Sequence, residues 1–144
     1  MKFNQRGFTL IEILLVVVII LVLAAMVVPN FAGKGKQART AAAKADIDAN
    51  LSTALDLYEL DNGRYPTTEQ GIKSLVEKPN SSPVPANWNG PYVKKKRIPI
   101  DPWGKDYVYT SPGQHNTDGY DLSSNGPDGV TSDDDIVNWD DDSN

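Results

Sequence analysis

With 144 residues the chain has room for one domain, yet its first third is too apolar and too uniform to belong to that domain's core, so the globular part is small. The formal charge of −5 is unevenly placed: from Asp101 onward there are eleven Asp and no Glu against one Lys, a local balance of about −10 that disfavours nucleic acid as a partner for that end. There is no cysteine, which excludes a disulfide scaffold and any Cys-based zinc or redox site and leaves a small domain in need of another brace.

From Phe8 to Val28 there are 21 residues, all apolar except Thr9 and Glu12. As a helix at about 1.5 Å per residue this run reaches the thickness of a bilayer's hydrocarbon core, and a membrane span is predicted. Its many Val and Ile residues do not oppose helix, because a backbone in lipid must satisfy its own hydrogen bonds. A cleaved secretory signal with Lys2 and Arg6 as its basic start is the alternative. The run is longer than the centre of such a signal, however, and passes through Met26, Val27, Val28 and Pro29 to Asn30 without a small-x-small cleavage site. Charge alone does not orient the span, since Lys2 and Arg6 precede it while Lys34, Lys36, Arg39 and Lys44 follow. Glu12 is the odd residue. An ionised group in hydrocarbon is costly, so it needs a partner, a hydrated position near the interface, or a proton.

The stretch KFNQRGFTLIE resembles the class III signal of type IV pilin-like proteins: a short basic leader ending in Gly7, then Phe8, and four residues on Glu12. The resemblance implies that a prepilin peptidase cuts between Gly7 and Phe8 and methylates the new amino terminus of Phe8. Residues 1–7 are then a leader peptide, 8–28 a transmembrane and assembly helix, and 29–144 a periplasmic domain. It also implies a cytoplasmic leader, an exported domain, and a role for Glu12 in meeting the cationic Phe8 terminus of a neighbouring subunit.

Pro29 lacks a backbone donor and predicts a kink or local opening where the apolar run ends. Helical periodicity then resumes, with Ala38, Ala41, Ala42, Ala45, Ile47, Leu51, Leu55 and Tyr58 on an apolar stripe and Lys44, Asp48, Ser52 and Asp56 opposite. Asp61-Asn62-Gly63 tolerates a left-handed backbone and predicts the helix end near Leu60. A second short helix is predicted after Tyr65-Pro66, capped by Thr67 with Gln70 three positions in and closed by Pro79. Pro79 to Pro91 reads as loop. Pro91-Tyr92-Val93, Asp106 to Thr110 and Tyr120 to Ser123 read as short strands. The fold class is α+β: a long N-terminal helix, membrane-spanning in its first half, packed against a second short helix and a small antiparallel β-sheet.

Three stretches, LYELDNGRYPTTEQGIKSLVEKP, WNGPYVKKKRIPIDPWGKDYVYTSPG and YDLSSNGPDGVTSDDDIVNW, with the leader cover nearly the full chain and resemble the major pseudopilins of the type II secretion system. Type IV adhesion pilins share the leader but carry a cysteine pair that is lacking here. The resemblance implies a structural subunit and no enzyme: a helical homopolymer forming a periplasmic pseudopilus that drives export of folded proteins across the outer membrane. Its implied partners are other copies of itself, minor pseudopilins, the inner-membrane assembly platform and prepilin peptidase, with the bacterial inner membrane as its single-pass location before assembly and no nucleic acid.

The ending Leu122 to Asp135 is flanked by Tyr120 and Leu122 on one side and Ile136, Val137 and Trp139 on the other. Its acid spacing is not that of an EF-hand. A solvated acidic loop is one reading; the other is a metal loop, since bringing Asp128 near Asp133 and Asp134 costs like-charge repulsion that a hard dication reverses. Calcium accepts mixed carboxylate, hydroxyl and carbonyl oxygens in irregular loops, and Gly126 and Gly129 permit the turns. The resemblance to pseudopilins implies Ca2+ here, with Ser124, Asp128, Asp133 and Asp134 as side-chain ligands and Leu122 and Val130 as carbonyl donors. Asp135 either joins them or holds the turn before Ile136, and Asp140 to Asp142 form a solvated tail. His115, the only histidine, reads as a surface-loop residue without the constellation of a catalytic base. Trp88, Trp103 and Trp139 read as packing for a thin core and not as a sugar platform. Two rival functions remain: a type IV pilus subunit for adhesion or DNA uptake, and a membrane-tethered calcium-dependent binding domain or enzyme.

Overall fold

A computed structural model describes residues 7–140, and the side chains of 27–32 fall outside that description. Lys2, Arg6 and the tail residues Asp141 and Asp142 lie outside the described residues. The chain divides into two compact units, one ending at Ala38 and the other beginning at Arg39.

In the first unit, helix α1 (Leu10–Ala45) starts directly after Thr9. Every side chain described from Phe8 to Met26 is exposed, with Phe8 at 84% and Leu10 at 86%. A helix apolar on all sides is suited to lipid or to a bed of other helices, not to water. Among the described residues no helix is long and apolar enough to cross a membrane. The described side chains of the run stop at Met26, short of the predicted end at Val28. The opening expected at Pro29 is not found, because α1 continues through it. Proline's missing N–H removes one helical hydrogen bond, which a long helix with intact bonds on either side tolerates.

Departure from α-geometry comes later, in a π-helical segment at Asp46–Leu51. Helix α2 (Ser52–Asn62) follows and ends where the sequence predicts: Gly63 takes a left-handed φ of 73° and its N–H donates to the Glu59 carbonyl at 2.6 Å. The buried stripe of the second unit is Ala43, Ile47, Leu51, Ala54, Leu55 and Tyr58. Ala38, Ala41, Ala42 and Ala45, expected on it, are exposed. The stripe runs from Ala43 at three- and four-residue steps, the ordinary spacing of one helix face. Asp46, in the first π turn, accepts from Asn50 Nδ2 at 2.7 Å and from the Tyr107 hydroxyl at 3.0 Å, tying the helix to the chain that enters the sheet.

The predicted cap at Thr67 forms, with Gln70 N–H donating to Thr67 Oγ1 and Thr67 N–H to Gln70 Oε1, each at 3.2 Å. No α-helix grows from it. Gly71, at φ 57° and ψ −172°, turns the chain out of the helical region, and a 3₁₀ turn at Ile72–Leu75 follows. Strands β1 (Val108–Thr110), β2 (Asp121–Ser124) and β3 (Ile136–Val137) form an antiparallel sheet in that order, with Tyr109 opposite Leu122 and Ser124 opposite Ile136. All four residues of β2 are buried. Pro91 to Val93 is not a strand. Tyr92 instead donates its N–H to the Leu75 carbonyl at 2.7 Å and sets its ring edge-on to Tyr58 and Trp88. Trp88 donates to the Ser74 carbonyl at 2.8 Å, and Trp88 and Trp103 pack against the core as expected.

Candidate functional site

At the helix start Thr9 and Glu12 cap each other. Thr9 N–H and the Thr9 hydroxyl donate to Glu12 Oε2 at 2.7 and 2.9 Å, and Glu12 N–H lies 3.3 Å from Thr9 Oγ1. This is the reciprocal arrangement of a capping box, and it satisfies backbone donors that the first helical turn leaves free. The carboxylate therefore has an intramolecular partner that the sequence reading did not assign. The signal was present as Thr-x-x-Glu before an apolar run. Glu12 remains exposed, as do Gly7 and Phe8 ahead of it, and nothing lies within 4 Å of where a side chain would stand on Gly7.

The acidic loop runs from β2 to β3. Asp128 Oδ1 accepts from Val130 N–H at 3.0 Å, fixing the turn at Gly129, whose φ is 72°. Ser132 Oγ touches both Asp128 Oδ2, at 3.2 Å, and Asp134 Oδ1. A hydroxyl has one proton and serves one of these carboxylates, so the other approach brings oxygen to oxygen without a donor. Asp134 also closes on Gly126, where a Cβ would stand 3.2 Å from the Asp134 carbonyl oxygen. Asp135 holds the turn before Ile136: it accepts from Ser132 N–H at 3.2 Å and donates its own N–H to the Ser132 carbonyl. Burial pushes the Asp135 carboxyl up, the Ser132 N–H draws it down, and the charges of Asp128 and Asp134 push it up again, for a net rise.

Of the six predicted metal ligands, the structure thus gathers Asp128 and Asp134. Asp133 is exposed outside that pair, and Val130 is exposed. Ser124 is fully buried; its hydroxyl donates to Asp101 Oδ2 at 2.6 Å and accepts from Gly126 N–H at 3.3 Å. The Leu122 carbonyl accepts from Asn138 N–H at 3.1 Å. Among the described residues no three His, Cys, Asp or Glu side chains gather as a metal cluster. Such a grouping does not count the hydroxyl and carbonyl oxygens that hard cations also use. Ser132 and Asp101 were missed in the sequence reading. Ser132 stands four residues after Asp128 and two before Asp134, a hydroxyl inside an acid run, whereas Asp101 joins the site only through tertiary structure.

Beside this loop, Asp121 anchors the turn between β1 and β2. Its carboxylate accepts the N–H groups of Gln114, His115 and Asn116 at 2.7, 2.9 and 2.9 Å, and His115 Nδ1 lies 3.1 Å away. Burial pushes this carboxyl up, but the three backbone donors and the imidazole outweigh it and hold it below its ordinary value. His115 is therefore more than a surface-loop residue: it pairs with Asp121 and stacks flat on Trp139 at 4.2 Å. Those contacts fasten the C-terminal segment to the turn.

The profile of the family described as "Type II secretion system (T2SS), protein G" matches residues 30–139, and that of the "Prokaryotic N-terminal methylation motif" matches residues 2–28. The chain is 55% identical over 138 residues to the type II secretion system core protein G of Escherichia coli (strain K12), covering 94% of this chain and 92% of that one. It is 49% identical over 140 residues to the core protein G of Pseudomonas aeruginosa, covering 95% and 96%. Among solved structures, the major pseudopilin from the type 2 secretion system of enterohaemorrhagic Escherichia coli matches with a TM-score of 0.65 and 47% identity, over 78% of this chain and 96% of that one.

Proposed function

Because the chain belongs to the protein G family of the type II secretion system, the family of the major pseudopilins, we propose that it works as follows. After removal of residues 1–7 and methylation of Phe8, residues 8–28 hold the subunit in the inner membrane with its domain in the periplasm. Subunits then leave the bilayer to polymerise through these helices into a periplasmic pseudopilus that drives folded proteins across the outer membrane. Minor pseudopilins, the inner-membrane assembly platform and prepilin peptidase are its partners. The observation that carries this reading is the apolar run, exposed on every side from Phe8 to Met26, with one acid in its first turn. Lipid covers such a surface before assembly, neighbouring helices cover it afterwards, and Glu12 gives the transfer a register by pairing with the Phe8 ammonium of the next subunit.

Loss of the chain should leave exoproteins folded in the periplasm and remove filaments seen by electron microscopy; restored export from a chain without its first helix contradicts the reading.

The acidic loop is proposed to bind calcium. Its donor set fits: Asp128 and Asp134 converge on a single hydroxyl proton, and Asp135 is held against both charges. Asp128 and Asp134 would hold the ion, with Ser124 Oγ and the Leu122 and Val130 carbonyls each keeping a lone pair to offer and Asp133 within the same loop. Bound calcium supplies a positive charge that turns the loop's self-repulsion into attraction and so takes the place of a disulfide brace. Saturating calcium should raise the melting temperature over chelator by about 10 °C at a hundredfold excess over Kd. Asp128→Ala should abolish that difference, and equal melting temperatures of the native chain with chelator and calcium would exclude a structural site.

A further inference from the structure

Lys105 is the only Lys or Arg among the eleven aspartates from Asp101 to the carboxyl end. It closes a turn clasped from within: Asp101 Oδ1 accepts the N–H groups of Trp103 and Lys105 at 3.0 and 2.8 Å, and Asp101 N–H donates to the Lys105 carbonyl at 2.8 Å. Asp101 is 3% exposed, and its other oxygen takes the Ser124 hydroxyl. One buried carboxylate thus fastens the Lys105 turn to the end of β2, where the acidic loop departs. From that turn the lysine reaches across the loop. A Cβ added to Gly129 would stand 2.0 Å from Lys105 Nζ, 2.6 Å from Cε and 2.9 Å from Cδ, so the stem and ammonium lie on the backbone immediately after Asp128. Among the described residues Lys105 has no carboxylate within ion-pair distance. It meets the loop at the Gly129 backbone and not through one carboxylate partner.

We propose that Lys105 is a tethered counter-cation of the acidic loop: it stabilises the loop's fold without metal and, by the same charge, weakens calcium binding. Its effect on calcium rests on the reading of the loop as a calcium site. A unit charge on the loop, exposed and screened by water, should change dication affinity by about fivefold.

The test uses the full chain in detergent, comparing the native protein with Lys105→Met, which keeps the aliphatic stem on Gly129, and with Lys105→Arg, which keeps the charge. Lys105→Met is expected to melt lower in chelator, by a margin that shrinks in high salt, and to bind calcium about fivefold tighter by calorimetry. Lys105→Arg should behave as native in both. An unchanged melting temperature of Lys105→Met in chelator overturns the counter-cation, and an unchanged calcium Kd overturns its effect on metal. If the native chain binds no calcium at all, the calcium reading fails separately, and the chelator comparison alone decides on Lys105.

Discussion

Glu12→Ala and Glu12→Gln should both leave the chain inserted in the membrane and lower the yield of sheared filaments at least tenfold. Two roles of Glu12 are separable by size. As a cap for its own helix, through Thr9, it makes a modest local contribution, and Gln keeps an acceptor oxygen for that purpose. In the proposed pairing with a neighbour's Phe8 ammonium in an apolar bundle its charge matters far more, because removing one member of a buried pair leaves the other charge uncompensated. A tenfold loss needs only about 1.4 kcal/mol per subunit addition, within reach of the pair and beyond what Gln takes from the cap. The measurement is filament yield against membrane-bound subunit on the same blot. Assembly of Glu12→Gln at the native level would leave the acid with capping alone and remove the register from the assembly scheme.

In the folded domain a large loss is expected from Asp121→Ala, with a melting temperature lower by about 15 °C. The substitution strands three backbone donors, those of Gln114, His115 and Asn116, together with the imidazole of His115. Charge-assisted bonds are worth about 1.5–3 kcal/mol each, and with partial rescue by water the sum comes to about 3–4 kcal/mol. The sign of the accompanying pH dependence is fixed. A carboxyl held below its ordinary 3.8 contributes stability that is complete above that value and is lost as pH falls through the lower folded-state value. The native chain should therefore lose stability in acid more steeply than Asp121→Asn, which has no charge to titrate. Parallel profiles from urea unfolding between neutral and acid pH would show that the turn is held by other contacts.

What the sequence disclosed was local, and what it concealed was tertiary. The left-handed stop at Gly63 and the Thr67–Gln70 cap follow from residue types at fixed spacing, and both are found. The missing helix after Thr67 shows the limit, since Gly71 overrides a correct start signal four residues later. The π-helical segment left no mark in composition, and spacing alone did not tell which alanine meets the domain, so the stripe was laid over Ala41, Ala42 and Ala45 where Ala43 is the buried one. In the candidate site, Asp128 and Asp134 were legible because acids and glycines cluster in one stretch. Asp101 lies 23 residues from Ser124 and meets it only after the sheet has formed, so no window of sequence could pair them. His115 is on a surface loop as read, but its two partners were hidden for the same reason, since they arrive from β2 and from the C-terminal segment.

The outer strands are only three and two residues long, while the central one is buried throughout. Unpaired strand edges are templates on which foreign chains add, and brevity is one way proteins deny them. A subunit crowded at high density in a membrane, and again along a fibre, thus offers little for amyloid-like zippering. The surface it does expose for assembly is the apolar helix, whose backbone bonds are already closed within the chain.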